Sequence, residues 1–178
     1  MIRLILIVVA VAVVGVLVFA ATRPDTFRIE RTATIKAPAD RIFPFIDDFH
    51  RWGAWSPWEK IDPALKRTFS GPPSGKGAAY SWEGNSKVGS GGMVIAESSP
   101  PGKIVIKLDF LKPFEAHNIA EFMLVPAGDT TSVTWAMYGP SPYVSKIMQT
   151  FFSMEKKVGG QFEQGLANLK AAAEAAKQ

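Results

Sequence analysis

Tryptophan, a large apolar side chain with one polar edge, is concentrated in one stretch of this 178-residue chain. Four of the five tryptophans fall between positions 52 and 82, and Trp52, Trp55 and Trp58 recur every three residues. With this spacing, one helical turn would place the three indole side chains on the same side of the segment. Large amphipathic rings beside glycine turns suit the wall of an apolar ligand site. The same rings could equally plug one end of a hydrophobic core, and one set of residues can do both.

Groups for covalent, acid–base or metal chemistry are sparse. The chain has no cysteine, which excludes disulfides, thiolate catalysis and cysteine-based metal sites. The two histidines, His50 and His117, lie far apart and form no pair with metal-ligand spacing. No nucleophile–base pair or paired carboxylates stand out, and the glycine-rich run 89–92 lacks the residues of a phosphate loop. We therefore predict no catalytic residue, no metal and no cofactor, and favour a protein that is not an enzyme.

Composition is that of an ordinary folded domain, with 11% aromatic and 20% charged residues. The net charge is +4, and the basic residues are spread along the chain rather than clustered. Because no zinc, helix-turn-helix or basic-arm signature is present, we expect no nucleic-acid partner. Basic residues that are spread out in this way are compatible with a solvent-exposed surface. Anionic lipid headgroups could also interact favourably with that surface. Nothing in the sequence sets an oligomeric state.

The N-terminal segment from Leu4 to Ala21 contains no charged or strongly polar residue. A helix of this length would span about 27 Å, close to the roughly 30 Å hydrocarbon core of a bilayer. The alternative is a cleaved signal peptide with a passable cleavage site after position 20, but signal apolar regions usually run for about 7–15 residues. The length favours a retained single-pass anchor. We predict an anchor and linker over residues 1–25 and a separate domain over residues 26–178.

Two signals for membrane orientation disagree. Arg3 precedes the apolar segment, whereas Arg23, Arg28, Arg31 and further basic residues follow it, and that count favours a cytoplasmic domain. The later charges, however, fall in a segment that should fold, where the charge rule weakens. A short basic N terminus before a long apolar segment also resembles signal-anchor proteins with an external domain. We favour the extracytoplasmic side and leave the orientation open.

The rest of the chain predicts a sheet followed by a helix. Apolar and polar residues alternate over residues 27–36, which indicates a half-buried strand, and Asp40 opens a helix that Pro44 kinks or displaces. After the tryptophan segment, alternating runs and turns recur about every ten residues without an intervening helix, which indicates an antiparallel sheet. From Tyr143 onward the pattern is helical, and positions 158, 162, 166, 169 and 173 form one apolar stripe.

This order of segments resembles a known superfamily. The tryptophan segment is followed by Phe-Ser-Gly-Pro, then by Gly-x-x-Tyr-x-Trp-x-Gly, and the last helix contains GGQFEQGLANLK. Over residues 27–169 the pattern is similar to that of the START-like superfamily (SRPBCC), in its polyketide cyclase/dehydrase and lipid-transport branch. The resemblance implies an α+β helix-grip fold, in which a curved antiparallel sheet wraps around a long C-terminal helix, here with an N-terminal transmembrane helix added. It transfers no catalytic residue by position, because the superfamily contains carriers, cyclases and hydroxylase components.

A sheet that curls around a helix leaves a cavity unless side chains fill it. The predicted inward positions combine aromatic rings with adaptable methionines and one amide. The candidate cavity residues are Trp55, Tyr80, Trp82, Met93, Phe110, Asn118, Phe122, Trp135, Met137, Met154, Phe162 and Leu166. Each could instead be ordinary core, and Asn118 could orient a ligand headgroup or bond a neighbouring strand or water. Gly159 and Gly160 weaken the last helix beside the stripe, either for close packing or to leave room for a ligand.

Three functions fit these observations. The leading hypothesis is membrane-tethered binding or transport of a hydrophobic small molecule or lipid in the helix–sheet cavity. Each buried methylene contributes about 0.8 kcal/mol, so a single acyl chain could bind without elaborate polar contacts. The alternatives are a polyketide cyclase- or dehydratase-like enzyme and a non-catalytic interaction module with a filled core.

Overall fold

A computed structural model describes residues 1–151 and 153–176 of the chain. An apolar helix, a strand and a short helix come first, then two 3₁₀ helices, six strands and two C-terminal helices. Their bounds are α1 Ile2–Ala21, β1 Thr26–Ile35, α2 Ala39–Asp47, η1 Phe49–Ala54, η2 Pro57–Lys60, β2 Lys66–Ser70, β3 Ala79–Glu83, β4 Ser90–Ser99, β5 Lys103–Lys112, β6 Ala116–Ala127, β7 Thr130–Pro140, α3 Tyr143–Phe151 and α4 Met154–Ala175.

The seven strands form one antiparallel sheet in the order β1-β7-β6-β5-β4-β3-β2. Strands β2 to β7 each pair with their neighbours in sequence, because short turns connect them. β1 pairs with the outer edge of β7, so the connection from β1 to β2 crosses the sheet and carries α2 and the tryptophan segment. This arrangement, with α4 against the sheet, confirms the predicted α+β helix-grip fold.

The apolar stripe of α4 faces the sheet as the sequence predicts. Phe162, Leu166, Leu169 and Ala173 are buried, and Val158 at the start of the stripe is half-buried. The helical region after Tyr143 is nevertheless two helices. α4 begins after Ser153, whose hydroxyl accepts a hydrogen bond from the backbone N–H of Lys156 at 3.2 Å and caps the new helix.

Ion pairs attach α4 to the edge strand β1. The Arg31 guanidinium bonds Glu155 at 2.8 Å and Glu163 at 2.6 Å, and these hydrogen bonds, Glu163 first, raise the pKa of Arg31 above its ordinary value. Gly159 lies between the two carboxylates and is buried against the same guanidinium. A Cβ at that position would overlap Arg31, so this glycine permits close packing. Gly160, in contrast, is exposed, and a Cβ built there has no atom within 4 Å.

The tryptophan segment folds as η1 and η2 rather than as one helical turn. The indole N–H of Trp52 donates to the Ile46 carbonyl at 2.9 Å, and that of Trp55 donates to the Phe45 carbonyl at 2.7 Å. Both bonds tie the segment to α2, which begins at Ala39 and continues through Pro44. The indole rings of Trp52 and Trp55 are buried under α2, so these two residues belong to the core.

The predicted apolar N-terminal helix is present as α1. By length and composition it could cross a membrane, and its side chains are exposed except near Val16 and Ala20. It approaches the remaining structure close to its C-terminal end, where the Tyr143 hydroxyl donates to the Leu17 carbonyl at 2.8 Å. Insertion of α1 into a bilayer and its retention in the mature protein stay predictions.

Candidate functional site

A cavity of about 440 Å³ lies between the first half of α4 and the inward face of the sheet. Side chains from η1, η2, strands β3 to β7 and α4 line it, because inward positions alternate along every strand. Eight of the candidate residues from the sequence are among them: Tyr80, Trp82, Met93, Phe110, Trp135, Met137, Met154 and Phe162. Their role in binding a ligand stays a prediction.

The other four candidates lie outside this lining. Trp55, Phe122 and Leu166 are almost completely buried, and they fill the space under the second half of α4. Asn118 is buried on β6 beside Gly139 of β7, where a Cβ would overlap its amide. The structure therefore separates candidate residues that share one sheet face into a lining group and a core group.

Several lining residues are not among the twelve candidate cavity residues, although Trp52 and Trp58 belong to the tryptophan segment that the sequence offered as a ligand wall. The apolar ones are Trp52, Trp58, Leu65, Val88, Leu108, Pro113, Ala120 and Val158, and the polar ones are Ser56, Glu59, Lys87, Lys112 and Lys157. Leu108 and Val158 carried a usable signal, because each shares a strand face or helix stripe with a predicted residue. Glu59, Lys87 and Lys112 lie in connecting segments or at a strand end, where periodicity gives no information about direction.

A buried polar cluster forms one part of the cavity wall. The side chain of Glu59 is only 8% exposed and accepts hydrogen bonds from the Tyr80 hydroxyl at 2.7 Å and from Arg67 Nε at 2.6 Å. Burial, and then the bond to Glu59, raises the pKa of Tyr80 well above its ordinary value. The hydrogen bond to Glu59 likewise raises the pKa of Arg67. The phenol therefore stays protonated, and the cluster links η2 to β2 and β3.

Positive charge gathers at the rim of the cavity. Lys87 precedes β4, Lys112 ends β5, and Lys157 lies in the first turn of α4; all three are exposed. Within the described part of the chain, none of their ammonium groups forms an ion pair. The carboxylate of Glu59 in the wall is already engaged by Arg67. The rim thus carries uncompensated positive charge around an apolar interior.

Trp135 contributes an unsatisfied donor at the boundary between the cavity and the core. Its ring stacks on Phe162 with 4.1 Å between centroids and on Phe122 at 5.0 Å. The indole N–H is buried and finds no acceptor among the described residues. A buried donor without a partner costs roughly 1–3 kcal/mol, so this indole carries an energetic penalty in the fold.

Residues 26–174 match the family described as polyketide cyclase / dehydrase and lipid transport. The chain belongs to this family. No curated protein matches it.

Solved structures share the fold at low sequence identity. CV1439 from Chromobacterium violaceum is 16% identical over 86% of this chain and 100% of that chain, with a TM-score of 0.59. The di-domain ARO/CYC BexL from the BE-7585A biosynthetic pathway is 15% identical over 89% of this chain and 53% of that chain, with a TM-score of 0.62. The Aha1 dimer from Colwellia psychrerythraea is 15% identical over 85% and 99%, with a TM-score of 0.59. At these identities the likeness concerns the fold alone.

Proposed function

We propose that this protein binds a lipid or another hydrophobic small molecule in the cavity between α4 and the sheet, while α1 holds it at a membrane. The observation that carries the proposal is the cavity itself. Its volume of about 440 Å³ falls within the range of small-molecule sites, and most of its lining side chains are aromatic or aliphatic. Transfer of each methylene from water into such a site contributes about 0.8 kcal/mol. The open space also disfavours an interaction module with a filled core.

Charge at the rim narrows the ligand to an amphipathic one. Lys87, Lys112 and Lys157 surround the opening without ion-pair partners among the described residues, so an acidic headgroup would find compensating charge there. The apolar portion would extend inward toward Trp82 and Phe110.

The sheet topology supports a cavity that opens on the membrane side. β1 begins at Thr26, shortly after α1, and Thr26 pairs with Pro140 at the end of β7. Because the strands are antiparallel, Lys112 at the end of β5 and Ser90 at the start of β4 lie at this same end of the sheet. The lysine rim and the attachment point of α1 therefore share one end of the domain, and α1 would keep the opening near bilayer lipids.

Lipid analysis of the full-length protein tests this function. Protein purified from its membrane in mild detergent is washed with excess detergent, and native mass spectrometry with lipid extraction identifies any retained molecule. A panel of fatty acids, phospholipids, quinones and polyketides is then titrated while indole fluorescence is followed, since Trp58, Trp82 and Trp135 line the cavity. We expect at least one class to be retained, to change the fluorescence and to raise the unfolding temperature. Absence of all three effects across the panel would rule out the proposed function.

A further inference from the structure

Helix α3 exposes an apolar face beside its contact with α1. Tyr143, Val144, Met148 and Phe151 are 44%, 66%, 41% and 66% exposed. With helical residues about 100° apart, these four side chains fall within an arc of roughly 140°. A concentrated apolar arc of this kind differs from scattered surface leucines and valines, and it indicates a contact surface.

The opposite face of α3 is polar and holds the helix against the domain. The Lys146 ammonium donates to the Asp25 carboxylate at 2.5 Å, and Gln149 donates to the Ser141 hydroxyl at 3.2 Å. The hydrogen bond from Lys146 holds the pKa of Asp25 below its ordinary value, so the Asp25 carboxylate is ionised at neutral pH. With both polar contacts on one side, the rotation of α3 is fixed and its apolar face points outward.

The contact between α3 and α1 sets the level of α3 relative to the apolar helix. The Tyr143 hydroxyl bonds the carbonyl of Leu17, four residues before the end of α1 at Ala21. At 1.5 Å per residue, this contact lies about 6 Å inside the end of α1. Amphipathic helices at a bilayer surface bury their apolar face by roughly 5–10 Å, and tyrosine is enriched at that level. The geometry of α3 thus agrees with the depth of an interfacial helix.

A second exposed apolar pair lies at the cavity rim. Leu111 and Phe114, in and after the end of β5, are 60% and 64% exposed, and they flank Lys112 and Pro113 of the cavity lining. This β5–β6 turn belongs to the end of the sheet from which α1 departs. Apolar side chains beside an uncompensated lysine suit the boundary between acyl chains and anionic headgroups.

We propose that the apolar face of α3 and the β5–β6 turn lie in the headgroup layer of the membrane that α1 crosses, so that the cavity opens directly onto lipid. This inference rests on the proposed membrane-tethered function and adds two contact elements to it. The occupant is a lipid surface because α3 contacts α1, lies at interfacial depth along it, and shares its end of the domain with the lysine rim.

Depth-dependent fluorescence quenching tests the inference on the full-length protein in nanodiscs of phosphatidylcholine and phosphatidylglycerol. Because the chain lacks cysteine, each introduced cysteine is a unique site for an environment-sensitive fluorophore. Met148→Cys and Phe114→Cys report the two contact elements, Ser145→Cys reports the polar face of α3 as a matched control, and Val11→Cys reports the middle of α1. Lipids carry a doxyl quencher either near the headgroup or near the chain end.

We expect the shallow quencher to reduce emission at positions 148 and 114 at least about twofold more than at position 145, because interfacial side chains reach that level. The deep quencher should act on the label at position 11. Loss of quenching at position 11 would overturn membrane tethering itself. Quenching at 11 without an excess at 148 and 114 over 145 would overturn only the interfacial contact. A blue-shifted label at 148 that neither lipid quenches would mean that a protein surface covers α3, and would likewise overturn the inference.

Discussion

The space between α4 and the sheet has two halves that are similar in composition and opposite in packing. In one half Trp55, Phe122 and Leu166 leave no open space, and the Trp55 and Phe122 rings meet edge-on at 6.0 Å. In the other half Trp82 and Phe110 also meet edge-on, at 5.8 Å, but they border the cavity. Aromatic content therefore does not decide whether a region is core or site.

The position of α4 over the sheet accounts for the difference. α4 packs chiefly against β1, and the tryptophan segment with α2 covers the adjoining part of β6. At the end of the sheet that carries Lys112, the inward side chains of β3, β4 and β5 face the cavity, whereas Ile95, Ile104 and Ile106 farther along β4 and β5 are buried in the core. The stacked pair of Trp135 and Phe162 forms the boundary between the two halves. An apolar ligand would cover the inward side chains of the second half. In the first half, α4 and the tryptophan segment already cover them.

A matched pair of phenylalanine truncations gives the largest expected difference between the halves. Phe122→Ala removes a fully buried ring and should reduce the free energy of unfolding by about 3–5 kcal/mol. Phe110→Ala should cost less than about half of that amount, because the half-buried Phe110 ring already borders open space. Denaturation of the ligand-free protein, followed by indole fluorescence in detergent, measures both. Equal losses would contradict the division into filled and open halves.

Filling the cavity from the sheet side tests the open half directly. Ala120 is buried on β6 and lines the cavity, so Ala120→Leu should weaken ligand binding at least about tenfold while stability changes by less than about 1 kcal/mol. Gly160→Leu is the control, because a side chain at position 160 points into solvent and should leave affinity unchanged. Titration of the retained lipid into delipidated protein gives both affinities. A larger effect at 160 than at 120 would place the site elsewhere.

Neutralising the rim separates headgroup recognition from burial of the apolar chain. The combined change Lys87→Gln, Lys112→Gln and Lys157→Gln should weaken binding of a long-chain fatty acid roughly five- to tenfold, because exposed ion pairs are individually weak. Binding of the alcohol with the same chain should not change, since it carries no charge. Parallel titrations of the two compounds measure this contrast. If both affinities fall together, the lysines shape the opening rather than pair with an acid.

The outer face of the sheet should show the smallest effect on binding. On β6, the hydrogen bond to Asp109 at 2.7 Å, more than the interaction with Glu115 at 3.6 Å, raises the pKa of His117 above 6.5. Protonated His117 thus stabilises the fold below the unfolded-state pKa, and this contribution disappears as the pH rises through the folded-state pKa. NMR titration should show a larger decrease of this pKa for Asp109→Asn than for Glu115→Gln. Ligand affinity should stay constant through the transition; a parallel change would link the outer face to the cavity.

The sequence alone determined the order of the strands, the amphipathic stripe of α4 and the strand faces that turn inward, but not the two 3₁₀ helices of the tryptophan segment or the break between α3 and α4. Alternation with period two identified the strand faces that carry Phe110 and Phe122, and spacing near 3.6 identified the stripe with Phe162 and Leu166, because both patterns depend only on local geometry. The same local reasoning identified the apolar helix α1. It also limited the chemistry, since a chain without cysteine cannot use thiols.

Only the tertiary structure decided which inward residues meet a partner and which meet open space. Phe110 and Phe122 have the same local pattern, but the cover of α4 and the tryptophan segment reaches only the second. Gly160, which the sequence placed beside the stripe, lies about 200° around the helix from Phe162 and faces solvent. Lys87 and Lys112 reach the rim through connections that have no periodicity. Each of these outcomes depends on contacts between residues distant in sequence, and no local pattern encodes them.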